Sequence, residues 1–203
     1  MNDQPSIEVA VTYHSGYGHT ERHAQAIVAG ARQNPGSSAS LFNVAELNDE
    51  LWAGLSAADA IIFAAPTYMG SQSAVFQAFA EASASVWAVQ GWKDKVAAGF
   101  TNSAGVNGDK LNTLTSLSLL AAQHGMHWVS LGLPPGWLYS SNGSIDDLNR
   151  LGGFLGAMAQ SPSDASSAIA PPEADLRTAE HLGRRVAEVA TRLRSLPAAG
   201  VRE

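Results

Sequence analysis

Residues 7–20 read Ile7-Glu8-Val9-Ala10-Val11-Thr12-Tyr13-His14-Ser15-Gly16-Tyr17-Gly18-His19-Thr20, and their order decides the fold. The first seven form a short, β-branched apolar run, as in a strand buried on both faces. A loop with two glycines follows. Ala24, Ile27, Val28 and Ala31 then recur at three- and four-residue spacing, which predicts a helix with one apolar stripe. A strand, a glycine loop and a helix in this order open a βαβ crossover.

The same rhythm continues along the chain. Ser40–Val44 predicts a second strand, and Glu46–Ala58 a short helix or turn. Ala60–Ala65 is the clearest buried strand, with its end placed at Pro66. Val75, Phe76, Phe79, Ala82 and Val86 have helical spacing. Lys95–Phe100 predicts a fourth strand, and Leu111, Leu114, Leu117 and Leu120 a helix. Met126–Leu131 predicts a fifth strand, and a last helix spans about Pro172 to Leu196. Five such units imply an α/β fold, a doubly wound three-layer sandwich on a five-stranded parallel sheet. The expectation is one domain over 1–203, with a long loop insertion at about 132–172.

The chain has 203 residues, 45% hydrophobic and 15% charged, with a net charge of −6. That balance argues against a broad nucleic-acid face, which needs basic residues to displace counterions, and against a polybasic membrane anchor. With no cysteine, disulfides, thiolate metal sites and cysteine nucleophiles are excluded. No apolar run approaches the ~20 residues that cross a bilayer. No signal peptide is visible in Met1–Pro5, so a cytoplasmic protein is expected.

Ligands of open parallel sheets bind beyond the carboxyl ends of the strands. Three loops lie there, at 14–20, 66–73 and 101–109, all rich in glycine and small polar residues. The first opens a helix, whose N-terminal amides and dipole favour an anion. No G-K-[ST] follows, and Glu21 stands where a dinucleotide fingerprint has its third glycine. A pocket for a terminal monophosphate is the functional reading, and an ordinary capped turn the alternative. Pro66-Thr67-Tyr68-Met69-Gly70 offers an aromatic ring and a thioether to a flat heterocycle, or is a turn with Tyr68 partly buried. Thr101–Asp109 supplies donors, or simply caps the next helix. His19 and His23 have a metal-pair spacing but lack the H-E-x-x-H pattern and a third ligand, so no metal is expected. His124 lies near a cofactor mouth or caps the preceding helix.

These loops, in this order, resemble the flavodoxin superfamily, and within it the WrbA-type FMN-dependent NAD(P)H:quinone oxidoreductases. The matching pieces are Tyr13–Thr20, Ala64–Gly70, Trp87, the Ser103–Gly108 loop and His124-Gly125-Met126. The resemblance implies a flavodoxin-like strand order, 2-1-3-4-5. It implies FMN, with its phosphate at Ser15, Gly16, Tyr17, Gly18, His19 and Thr20. The ring would lie against Pro66, Thr67, Tyr68, Met69 and Gly70, and against Ser103, Ala104, Gly105, Val106, Asn107 and Gly108. Trp87 and His124 would border the substrate side as catalytic residues, Trp87 alternatively being a core-packed helix residue. NAD(P)H would be the electron donor and a quinone or similar small molecule the acceptor, in a homodimer or homotetramer. A flavodoxin-like electron carrier without a nicotinamide site is the alternative. Two departures fall near the substrate mouth. Tyr68-Met69 replaces the family's arginine and aromatic, and Gly152-Gly153-Phe154-Leu155-Gly156 replaces Gly-Gly-x-Pro-Tyr-Gly.

Overall fold

A computed structural model of the chain describes residues 7–195. In chain order the elements are β1 (Ile7–Tyr13), α1 (His19–Arg32), β2 (Ser37–Asn43), α2 (Asp49–Ala57), β3 (Ala60–Tyr68) and β4 (Ser71–Gln72). Then come α3 (Ala74–Ala82), α4 (Ala84–Ala88), β5 (Val96–Ser103), α5 (Lys110–Gln123), β6 (His127–Trp128), β7 (Ala157–Gln160) and α6 (Glu173–Arg194). The main sheet path is β2-β1-β3-β5-β6, and every pairing along it is parallel. This is the expected flavodoxin-like doubly wound α/β fold.

Helices cover both faces. Val9, Val11, Ile62, Ala64 and Phe100 point to one side, where they pack with Ala24 and Ile27 of α1 and Leu182 and Val186 of α6. Ala10, Ile61, Phe63 and Ala65 point to the other, against Leu51, Leu55, Phe76, Phe79, Leu114 and Leu117. Successive β3 residues therefore serve opposite cores, and for that reason its apolar run is uninterrupted rather than alternating.

Three expectations need correction. Strand β3 does not stop at Pro66 but continues to Tyr68. Pairing with β1 ends at Tyr13 and Ala64, so Pro66 sits where β3 has only β5 beside it, and its missing N–H leaves no gap between strands. The helix over 74–88 breaks at Ser83, which ends α3 and starts α4.

The third correction concerns the fifth strand. Only His127 and Trp128 pair there, beside Val96 and Ala97. The chain then leaves the sheet, and β7 takes up the same side of β5, pairing Phe100–Ser103 with Ala157–Gln160. The 132–172 segment is thus not one loop. It divides into an insert before β7, with a short 3-10 turn at Trp137–Tyr139, and a second connection from Ser161 to α6.

His23 on α1 is fully buried, and neither ring nitrogen has a hydrogen-bond partner. Its ring meets Phe100 edge-on at 4.7 Å. Burial pushes its pKa down to about 3. In the unfolded chain the imidazole protonates below its usual 6.5, whereas in the fold it resists until about 3, so its contribution to stability is lost as pH falls through that window. The expected slope from this group is about 1.4 kcal/mol per pH unit. Urea unfolding of wild type and His23→Phe at pH 7 and pH 4.5 checks it: the variant loses less stability on acidification.

Candidate functional site

Strands β1, β3 and β5 end on one edge of the sheet, so their loops converge. At the first, α1 begins after Gly18, whose φ of 84° suits glycine, and no side chain caps the helix. The N–H groups of the first turn therefore lack intrahelical acceptors. Beside them the Ser15 hydroxyl oxygen is buried without a partner. A Cβ at Gly16 would sit 2.6 Å from the Tyr68 hydroxyl, so the first and second loops touch here, and a larger residue would push the Tyr68 ring aside.

The second loop rests on a floor of hydroxyls. Thr101 donates to the Ala65 carbonyl at 2.7 Å. With that proton committed, Thr67 donates to Thr101 at 2.7 Å, and Thr113 donates to Thr67 at 2.8 Å. The Thr67 hydroxyl is thus turned into the protein. Tyr68 is half-buried, which raises its phenol pKa, with the neighbouring Tyr17 adding to the effect. Met69 is fully exposed, with a positive φ of 48°.

A strap after β7 closes the far side. Ser161 donates to Asn102 Oδ1 at 2.9 Å. The His19 Nε2–H donates to the Ala165 carbonyl at 2.9 Å, and Arg22 to the Ser167 carbonyl at 3.1 Å. Together the loops and strap enclose a pocket of about 700 Å³, a size that suits a mononucleotide-class ligand.

Ser15, Gly16, Tyr17, His19, Thr20, Pro66, Thr67, Tyr68, Met69, Ser103 and Ala104 line this pocket. Gly18, the N-cap of α1, and Gly70, within the second loop, do not line it. Gly105, Val106, Asn107 and Gly108 do not line it; Asn107 instead donates to the Leu151 carbonyl at 2.9 Å and borders a groove with Phe154 and Met158. Asn102, of the expected third loop, also lines the pocket, whereas Ser161, Ser163 and Ala165 line it and were not expected. A signal for them existed: Ala157–Ala159 followed by Ser161-Pro162-Ser163 repeats the pattern of an apolar strand ending in small hydroxyl residues.

His124 and Trp87 lie elsewhere. Helix α5 starts at the pocket edge and runs back over its 14 residues, about 20 Å, before reaching His124. There Ser83 donates to the Ala80 carbonyl, so His124 Nε2–H donates to Ser83, at 2.9 Å. Its ring stacks 4.3 Å from Trp92, and burial lowers its pKa, keeping it neutral. The half-exposed Trp87 shares with it a separate groove of about 400 Å³. Within one chain, neither lines the pocket of the three loops, although their groove reaches the second loop at Gln72.

Below the third loop lies a buried ion pair. Arg150 donates to Asp175 through Nε at 2.7 Å and through its second guanidinium arm at 2.8 Å. Asp175 also accepts the Gln160 N–H at 2.9 Å, and the Gln160 side chain donates to the Ala104 carbonyl at 3.2 Å. Burial nonetheless raises the Asp175 pKa, with Arg150 opposing it. Arg150→Met leaves the carboxylate buried and unpaired, at an expected cost of about 3–5 kcal/mol. Arg150→Met/Asp175→Leu recovers most of it. Denaturant midpoints of the two variants check both statements.

Comparison with known proteins places this geometry. The NADPH-dependent FMN reductase family profile matches residues 38–133. Flavodoxin FldP of Pseudomonas aeruginosa is 45% identical over 186 residues, covering 92% of this chain and 98% of that protein. A WrbA-like flavodoxin from Agrobacterium tumefaciens, of known crystal structure, is 45% identical with a TM-score of 0.73, covering 92% of this chain and 99% of that one. The chain belongs to the WrbA-like flavodoxin family. An NAD(P)H dehydrogenase (quinone) of Solidesulfovibrio magneticus is 30% identical over 210 residues, covering 93% of this chain and 100% of that protein. The WrbA-like chain thus has both a named flavodoxin and a named quinone dehydrogenase among its full-length relatives.

Proposed function

We propose that the pocket binds FMN and that the protein is an oxidoreductase passing electrons from NAD(P)H to a quinone or similar small acceptor. The unpartnered Ser15 hydroxyl, buried beside the uncapped first turn of α1, carries this reading. A hydroxyl and a set of free amides around one point suit a phosphate ester, and the lining contains no lysine or arginine that would suit a polyphosphate better. FMN, when bound, supplies the two-electron redox chemistry that no side chain here provides.

The chain's own residues would bind and orient. Ser15, the amides of His19 and Thr20 and the close approach at Gly16 would hold the phosphate end. Tyr68 and Met69 would cover the ring from one side, with Ser103 and Ala104 at another edge. The strap from Ser161 to Ala165 would exclude water from the phosphate. Trp87 and His124 would act on the substrate side only if a second copy brings its groove to the pocket, so their role is joined to assembly as a dimer or tetramer. A second reading, an electron carrier with no nicotinamide site, is favoured by the 45% identity to a protein named flavodoxin.

Titration of flavin-free protein with FMN and riboflavin tests the first part. FMN binds much more tightly than riboflavin, and Ser15→Ala lowers FMN affinity roughly 10-fold or more while leaving riboflavin unchanged. Failure to bind FMN overturns the reading. Steady-state NAD(P)H oxidation with a quinone then separates the enzyme from the carrier.

A further inference from the structure

The strap after β7 is fixed at its ends and lightly held between them. Ser161 and Ala170 are buried, and Ser161 bonds through its N–H to the Ser103 carbonyl and through its hydroxyl to Asn102, at the end of β5. In between, the chain turns twice on itself, Ala165 N–H to the Pro162 carbonyl and Ile169 N–H to the Ser166 carbonyl, both at 3.1 Å. Most of residues 162–169 are exposed. Among the described residues no backbone hydrogen bond joins them to another segment. Two side chains of α1 make the connection instead, His19 to the Ala165 carbonyl and Arg22 to the Ser167 carbonyl.

Both side chains belong to the turn that would receive the phosphate. His19 is the first residue of α1 and Arg22 the fourth. Gly18, the N-cap, meets the strap as well: a Cβ there would sit 2.8 Å from the Ser167 hydroxyl oxygen and 3.0 Å from the Ser167 Cβ. The strap therefore stands over the start of α1, with Ser163 and Ala165 in the pocket wall. It carries no cation from Ser161 to Ala170, and Asp164 gives it a negative charge. Such a rim suits a ligand that ends in one phosphate. A second phosphate continuing outward would meet a segment of chain and a like charge.

We propose that the strap, latched to α1 by Arg22, is the specificity element of the pocket: it admits a flavin that ends in a single phosphate and rejects one whose phosphate continues into a second nucleotide. The inference rests on the FMN reading above. FMN is held beneath the closed strap. A flavin dinucleotide such as FAD binds only with the strap lifted from α1, so its apparent affinity is reduced by the fraction of molecules in which the strap is open. Arg22 sets that fraction from outside, because it does not line the pocket.

Calorimetric titrations with FMN, FAD and riboflavin compare wild type with Arg22→Met. Wild type is expected to prefer FMN over FAD by more than about 10-fold. Loss of one latching hydrogen bond raises the open fraction, so FAD affinity rises roughly 5- to 10-fold in Arg22→Met, while FMN and riboflavin stay within about threefold. Hydrogen exchange over 162–169 speeds up in the same variant, a readout that needs no flavin. A smaller wild-type preference overturns the inference. So does unchanged exchange, or faster exchange with no gain in FAD affinity. A loss of affinity shared by FMN and FAD marks Arg22 as a phosphate contact and rejects the latch. Should Arg22→Met fail to fold, two glycines inserted after the exposed Ser166 loosen the same latch and carry the same expectations. Wild type that binds neither FMN nor FAD would instead reject the parent reading.

Discussion

Parallel pairing is the constraint on which the rest of this molecule depends. Strands β2, β1, β3, β5 and β6 all run the same way, so their carboxyl ends share one edge. Each connection must cross back through a helix, which brings helix N-termini to that edge as well. Two of them, α1 and α5, lack side-chain caps. The pocket is what this arrangement leaves: a place where several backbones stop hydrogen-bonding to themselves. Side chains refine it, but the direction of the strands put it there.

Charge in the interior is arranged around Asp175. A carboxylate this buried persists only when its oxygens are fully engaged, and here Arg150 and the Gln160 amide engage them. The three residues come from the insert, from β7 and from α6. One polar centre therefore ties together three successive segments of the chain, beneath the third loop. Apolar packing would hold the same segments with less directional control, because it fixes neither the angle of a peptide nor the side on which a donor emerges.

The sheet was legible in the sequence because it is buried on both faces. Ala60–Ala65 and Val9–Val11 read as strands since neither side of them meets water. The first two loops were legible for a related reason: glycine and hydroxyl residues at a strand end mean backbone that must be exposed or bound. The split fifth position was not, because its pieces, His127–Trp128 and Ala157–Gln160, are too short to carry a period. The strap was hidden behind it. Of the two readings open for His124, the structure shows the cap of the preceding helix, since His124 is the C-cap of α5. Its sequence neighbourhood says nothing of the helix length separating it from the pocket, and its burial against Trp92 is a contact between distant segments. Lys110, the first residue of α5, is fully buried, and nothing in the sequence around it announces that.

The split strand gives the insert an unusual independence. The chain departs from β5 at Trp128 and rejoins it at Ala157, so both ends of the intervening segment are anchored on the same strand. A loop so anchored can lengthen or shorten at small entropic cost, since closure entropy grows only with the logarithm of length. The sheet would not register the change. Arg150 limits that freedom, because its guanidinium must still reach Asp175. Over evolutionary time the outer part of the insert is therefore free to drift in length and shape, a natural site for lineage-specific decoration, while its base stays riveted to the core.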